Sequence, residues 1–91
     1  MSLFAFQMDP VVEPYVRKVV VCLVRYAELE EGEALRLVNR FWTDWGYFSE
    51  DDLRLHEEPY YWAMCMTQSK PEWWKDSSLW PPPKDYWDVP L

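Results

Sequence analysis

The feature that most constrains the fold is an amphipathic stretch over residues 31–48, EGEALRLVNRFWTDWGYF. On a helix, six apolar side chains of this stretch fall within an arc of roughly 120°, with polar side chains opposite. These six are Ala34, Leu35, Val38, Phe41, Trp42 and Trp45. Gly46 follows where a helix C-terminus favours a residue free to adopt positive φ. The pattern predicts a helix over residues 31–46 with a buried, aromatic-rich face.

A second helix is predicted over residues 14–29. Pro14 suits a first helical position, where its missing N–H needs no partner. Between Tyr15 and Leu29 the polar side chains gather on an arc of about 100°, so this helix would contact neighbours on two sides. The valines near its middle favour β-structure, and a strand over residues 18–26 is the competing interpretation.

Two shorter helices complete the expected set. Pro59 precedes an apolar run over residues 60–66, whose periodicity fits a buried helix or a strand, and we favour a helix over 59–68. Ser49 is expected to cap a short helix near residues 50–55, with an acidic residue three positions on.

The chain ends differ in composition from the helical middle. Residues 1–12 carry apolar side chains at alternating positions, as in an extended arm. Residues 69–91 hold five of the eight prolines and four of the seven tryptophans. Three consecutive prolines favour an extended backbone, and the aromatic content favours packing onto the helices. We predict a single all-α domain over residues 1–91, with three to four helices and an ordered, extended Pro/Trp-rich tail.

A core of thirteen side chains follows from these helices. Its expected members are Val16, Val20, Leu23, Val24, Ala27, Leu35, Val38, Phe41, Trp42, Trp45, Leu53, Trp62 and Met66.

The net charge of −7 is concentrated in the middle of the chain. Residues 30–58 hold nine acids against three arginines, whereas residues 1–29 are balanced. An acidic surface repels phosphate backbones and anionic lipids. This distribution argues against direct binding of nucleic acids or membranes.

The sequence contains no recognisable catalytic or cofactor motif. His56 is the one histidine and stands beside two glutamates, without a second ligand at metal-binding spacing. Two glycines in total leave little room for a phosphate-binding loop. Cys22 and Cys65 are expected to be free thiols in a reducing compartment. We therefore expect no enzyme, no cofactor, no metal and a cytoplasmic location.

The favoured function is recognition of a basic surface on a partner protein. Acidic side chains would guide association, and exposed aromatic side chains would anchor the complex. The candidate contact residues are Glu30, Glu31, Glu33, Tyr47, Phe48, Glu50, Asp51, Asp52, Glu57 and Glu58. Size and charge are those of inhibitors, immunity proteins or antitoxins, including phage-encoded inhibitors of defence systems.

Two other functions remain open at this stage. One is a small-molecule site in an aromatic pocket between tail and helices, formed by Tyr60, Trp62, Trp80 and Arg40. The other is a homo-oligomer or a minor subunit of a larger assembly. A closed aromatic cavity would favour the small-molecule site, whereas exposed aromatic side chains beside an acidic face would favour protein binding.

Overall fold

The computed structural model describes residues 3–68 and 72–88, which contain three α-helices and five short 3-10 helices. The helices are α1 (Glu13–Tyr26), α2 (Glu31–Trp42) and α3 (Pro59–Thr67). The 3-10 helices are Pro10–Val12, Thr43–Trp45, Leu53–His56, Trp73–Lys75 and Lys84–Asp88. The all-α prediction is confirmed for the described residues, and residues 18–26 and 60–66 are helical rather than extended.

Helix α1 is the central helix and packs against both α2 and α3. Val16, Val19 and Leu23 lie on its buried face at helical spacing. The helix ends three residues earlier than predicted because Glu28 adopts a left-handed conformation with φ of 59°. The Leu29 N–H then donates back to the Leu23 carbonyl, at 3.3 Å.

Helix α2 begins with local capping and ends earlier than its sequence pattern suggests. The Glu33 carboxylate accepts a hydrogen bond from the Glu30 N–H at 3.2 Å, as in a capping box. The α-helix ends at Trp42 and tightens into the 3-10 helix Thr43–Trp45. Gly46 follows with φ of 79°, in agreement with its predicted role as a terminating residue.

Helix α3 begins at Pro59, as predicted, and contacts residues from the C-terminal part of the chain. The Tyr60 hydroxyl donates to the Leu79 carbonyl at 2.8 Å, and the Tyr86 hydroxyl donates to the Glu58 carboxylate at 3.0 Å. Trp73 and Tyr86 are buried. Residues 69–71 and 89–91, which belong to the predicted tail, lie outside the described residues.

The N-terminal residues pack against the C-terminal end of α2. Phe6 is buried and meets the Trp42 ring edge to face, with a centroid distance of 6.0 Å. A parallel β-bridge pairs Met8 with Phe48, and the Phe48 N–H donates to the Gln7 carbonyl at 2.9 Å. This contact fixes the segment that follows α2 against the start of the chain.

Three members of the predicted core are exposed, and these predictions are wrong. Val24 is 39% exposed, Trp45 is 50% exposed and Leu53 is 77% exposed. Trp45 leaves the core because the tighter 3-10 turn after Trp42 changes the angular spacing of the side chains. Leu53 points outward because its neighbour Arg54 takes the inward position.

The remaining ten predicted core residues are buried or half-buried. The buried members are Val16, Val20, Leu23, Val38 and Trp42. The half-buried members that pack against them are Ala27, Leu35, Phe41, Trp62 and Met66. Both cysteines are free, and burial raises the pKa of the Cys22 thiol to about 12.

Candidate functional site

Arg54 is a buried charge at the centre of the candidate site. Only 3% of its side chain is exposed, and the side chain of Asp52 is 22% exposed. The Arg54 Nη2 lies 2.8 Å from Oδ2 of Asp52, and the Arg54 Nε lies 2.9 Å from Oδ1. The hydrogen bonds from Arg54 hold the pKa of Asp52 below its ordinary value. Asp52 is therefore the counter-ion of a buried guanidinium rather than a free surface acid.

Aromatic rings enclose the Arg54 guanidinium on its other sides. Its Cζ lies 3.7 Å from the Phe48 ring centroid, 5.2 Å from that of Trp45 and 5.3 Å from that of Trp42. These distances are within the range of cation–π attraction. The remaining nitrogen, Nη1, is buried and has no hydrogen-bond partner among the described residues. The aromatic rings therefore add cation–π attraction to the ion pair with Asp52.

The backbone of Arg54 joins the site to two helices. Its carbonyl accepts a hydrogen bond from the Tyr15 hydroxyl of α1 at 2.7 Å. It accepts a second from the Trp62 Nε1–H of α3 at 3.0 Å. Residues 53–56 are thus held across the ends of both helices, and the side chains around Arg54 have a fixed support.

Large apolar side chains remain exposed around this support. Trp45 is 50% exposed, Tyr47 is 55% exposed and Leu53 is 77% exposed. Trp45 and Leu53 line an open cleft of about 490 Å³, whose other apolar walls are Tyr61 and Trp62. Its charged walls are Asp52, Arg54 and Glu57.

Three exposed acids belong to the same part of the chain. They are Glu50, Asp51 and Glu57. We call the three acids, together with Trp45, Tyr47 and Leu53, the acidic-aromatic surface.

Asp9 fixes one side of the acidic-aromatic surface. Its carboxylate accepts a hydrogen bond from the Tyr47 hydroxyl at 2.5 Å and another from the Glu50 N–H at 2.8 Å. The bond from Tyr47, and after it the bond from Glu50, lowers the pKa of Asp9. The same bond raises the pKa of the Tyr47 phenol, because the neutral hydroxyl is the donor.

The Asp9 carboxyl is expected to titrate below the ordinary midpoint of about 3.9. Its ionised form accepts the hydrogen bond, so the Tyr47→Phe variant should raise this midpoint toward the ordinary value. Because the folded pKa is depressed, the associated stability is present above the unfolded pKa and is lost as the pH falls through the folded one. Carboxyl ¹³C NMR titration of both proteins measures the two midpoints. Identical Asp9 midpoints in the two proteins would contradict the hydrogen bond.

The structure separates the predicted contact residues into two groups. Glu30, Glu31 and Glu33 lie at the N-terminal end of α2, whereas the predicted contact residues within 47–58 follow its C-terminal end. A helix of 12 residues is about 18 Å long, so the two groups form separate acidic patches. Glu33 also caps its own helix and lines a groove with Arg36. The second group includes the exposed Tyr47, and its member Glu57 lines a cleft together with the exposed Trp45.

Three residues of the second group have structural roles. Asp52 is the counter-ion of Arg54, as described above, so its assignment as a surface contact is wrong. Phe48 is 0% exposed, so its assignment as an aromatic anchor on the surface is wrong. The bridge to Met8 and the guanidinium of Arg54 account for its burial. Glu58 is exposed, but its carboxylate accepts the Tyr86 hydroxyl bond described above.

The side chains suggested for a small-molecule pocket lie in different parts of the structure. Trp62 lines the open cleft beside Trp45, whereas Arg40 lines the separate groove with Glu33. Tyr60 is buried at 3% exposure, with its ring 6.2 Å from that of Trp80.

Sequence reasoning missed Arg54, which organises the site. It is the single basic residue among six acids in residues 44–58, apart from His56. A lone arginine within an acidic and aromatic segment is a usable signal, because such a cation has several possible partners nearby.

Residues 3–68 and 72–88 contain no cluster of three metal-ligating side chains. No helix in these two ranges is long and apolar enough to cross a membrane. Comparison with protein-family models, curated proteins and solved structures found no match to this chain.

Proposed function

We propose that this protein is a non-enzymatic binding module whose acidic-aromatic surface recognises a basic surface on a partner protein. The observation that supports the proposal is the exposure of Trp45, Tyr47 and Leu53 in the same short segment of the chain as the exposed Glu50 and Asp51. The proposed roles are those of an inhibitor, an immunity protein or an antitoxin.

The exposed side chains are of the kind that contributes most to binding energy. Tryptophan and tyrosine are enriched among residues that dominate protein interfaces, and they cluster near interface centres. Trp45 and Leu53 face solvent although each adjoins core residues, and the cleft between them is open rather than closed. An open apolar surface with a polar rim favours a protein partner over an enclosed small molecule.

Charge supplies the preference for a basic partner. Residues 44–58 contain six acids, and their one arginine is buried and paired with Asp52. Glu50, Asp51 and Glu57 are exposed at the rim. Uncompensated rim charges accelerate encounter with an oppositely charged surface and suppress encounter with surfaces of the same sign.

The surface is already organised before a partner binds. Asp9 holds Tyr47 and the backbone of Glu50, while Arg54 holds the turn that carries Leu53. A site ordered in advance loses less conformational entropy on association. We also propose that residues 72–88 belong to the same folded unit, which the burial of Trp73 and Tyr86 supports. We propose a cytoplasmic location.

Charge reversal provides the test of the proposal. We expect the double variant Glu50→Lys/Asp51→Lys to associate with the partner about tenfold more slowly at low ionic strength. Both side chains are exposed, so the free energy of unfolding should change by no more than about 0.5 kcal/mol. The partner is first captured from the native host with the wild-type protein, and stopped-flow kinetics then compares the variants.

The matched control is Glu28→Lys/Glu31→Lys. It makes the same change in net charge near the opposite end of α2, on two exposed side chains. Its association rate should fall much less than that of the first variant. Equal rates for the two variants would contradict the location of the site, and an unchanged rate for Glu50→Lys/Asp51→Lys would contradict charge-guided binding.

A further inference from the structure

The cleft beside Trp45 has a composition that selects one kind of side chain. Trp45, Tyr61 and Trp62 supply aromatic walls, and the Trp45 and Trp62 rings meet edge to face with centroids 5.6 Å apart. The Tyr61 and Trp62 rings meet at 86° with centroids 5.3 Å apart. Because the rings are nearly perpendicular, the cleft presents both ring faces and ring edges. Ring faces carry negative electrostatic potential and attract cations.

The charges of the cleft also favour a cation. Arg54 is neutralised by two hydrogen bonds to Asp52, at 2.8 and 2.9 Å. Glu57 lines the same cleft and is exposed, so its charge is not cancelled by that pair. The walls as a whole carry two carboxylates against one guanidinium. An anionic ligand would meet net repulsion here, whereas a cation would meet net attraction.

The fold itself shows that its aromatic rings accept a guanidinium. The Arg54 Cζ lies over the Phe48 ring, 3.7 Å from its centroid, and over the Trp45 ring, 5.2 Å from its centroid. A planar guanidinium stacks on aromatic faces and donates in a fork to a carboxylate, whereas a lysine ammonium is a more strongly hydrated point charge. The cleft offers both kinds of contact, since Trp62 and Glu57 line it together.

We infer that the cleft receives an arginine side chain of the basic partner, with its guanidinium over the Trp45 or Trp62 indole and hydrogen-bonded to the Glu57 carboxylate. The inference rests on the proposed function and deepens it by naming the group that the partner inserts. The cleft volume of about 490 Å³ is ample for one side chain. Leu53, at 77% exposure, lies where it can cover the aliphatic part of that arginine.

Short peptides test this inference without the partner. Acetyl-Gly-Arg-Gly-amide is titrated into the full chain, and the indole N–H signals are followed by NMR. The citrulline peptide has nearly the same shape without the charge, and the lysine peptide has the charge without the planar fork. We expect the arginine peptide to shift the Trp45 and Trp62 signals and to bind at least fivefold more tightly than the other two.

Two variants and two controls make the result specific. Glu57→Gln and Trp45→Leu should each weaken arginine-peptide binding at least threefold. Glu31→Gln removes the same charge from the far end of α2, and Trp87→Leu removes an indole that is 61% exposed on the C-terminal 3-10 helix; both should leave binding unchanged. Equal binding of the citrulline peptide, or shifts at Trp74 and Trp87 instead, would overturn the inference.

The outcomes separate this inference from the proposed function. If the arginine peptide does not bind but partner association still depends on Glu50 and Asp51, the cleft inference is wrong and the proposed function stands. If the arginine peptide binds with the expected pattern and no partner association depends on those acids, the cleft is a cation site and the proposed function is wrong.

Discussion

Replacing Asp52 with asparagine is expected to lower the free energy of unfolding by about 3 kcal/mol at neutral pH. The substitution keeps the size of the side chain but removes the negative charge that faces the Arg54 guanidinium. Arg54 is 3% exposed and has no second carboxylate among its described hydrogen-bond partners, so its charge would stay buried without compensation. Urea unfolding followed by tryptophan fluorescence measures the change.

The adjacent acid provides the matched control for this substitution. Asp51→Asn removes the same charge from an exposed side chain, and its stability should stay within about 0.5 kcal/mol of the wild type. In the double variant Asp52→Asn/Arg54→Met, a flexible apolar side chain replaces the guanidinium among the rings, and we expect recovery of most of the lost stability. Equal effects at Asp51 and Asp52 would contradict the assignment of Asp52 as the counter-ion.

Truncation of Trp42 to alanine is expected to cost about 4 kcal/mol, as for a large buried aromatic residue. Trp42 is 0% exposed and meets Phe6, Phe48 and Trp62 edge to face, with centroids 5.4 to 6.0 Å away. One ring therefore joins the N-terminal arm, α3 and the segment that follows α2. Loss of the indole leaves a cavity between these three parts, and thermal unfolding should show a lower midpoint.

Trp87→Ala is the control for the Trp42 substitution. Trp87 is 61% exposed, and its loss should change the free energy of unfolding by no more than about 0.5 kcal/mol. A Trp42→Ala protein that unfolds at nearly the wild-type temperature would show that the aromatic cluster does not hold the three parts together.

Helical periodicity predicted the buried face of α2 but not its end. Val38 and Trp42 follow the period of the α-helix and are buried as expected. Trp45 has the same spacing in the sequence, but the backbone forms a 3-10 helix after Trp42 and directs this ring toward solvent. The sequence alone could not show this transition, because an α-helix continued past Trp42 and a 3-10 turn at the same place differ by only a few local hydrogen bonds. The error matters, since the exposed ring of Trp45 becomes the centre of the proposed site.

The inward position of Arg54 and the outward position of Leu53 depend on contacts with residues far away in the sequence. Hydrophobicity places Leu53 inside and Arg54 outside, and the structure reverses both. The reversal requires the Phe48 ring, and Phe48 is itself placed by its bridge to Met8 from the start of the chain. A local pattern contains no information about a contact that spans forty residues. The same dependence explains why Phe48 was assigned to the surface.

The acidic patches show where charge counting succeeds and where it is incomplete. The excess of acids in the middle of the chain is a property of the sequence, and Glu50, Asp51 and Glu57 are exposed. Counting could not show that Asp52 is already neutralised by Arg54 or that α2 separates the Glu30 group from the rest. The first fact depends on the burial of Arg54, and the second depends on where α2 begins and ends.

The measurement that tests the central claim most directly is an NMR map of the indole N–H groups in the complex with the captured partner. A soluble paramagnetic agent reports which indoles are accessible to solvent before and after binding. The account predicts that Trp45, half-exposed in the free protein, becomes protected while Trp74 and Trp87 keep their accessibility. Protection of Trp74 or Trp87 with Trp45 still accessible would contradict the assignment of the acidic-aromatic surface as the binding face.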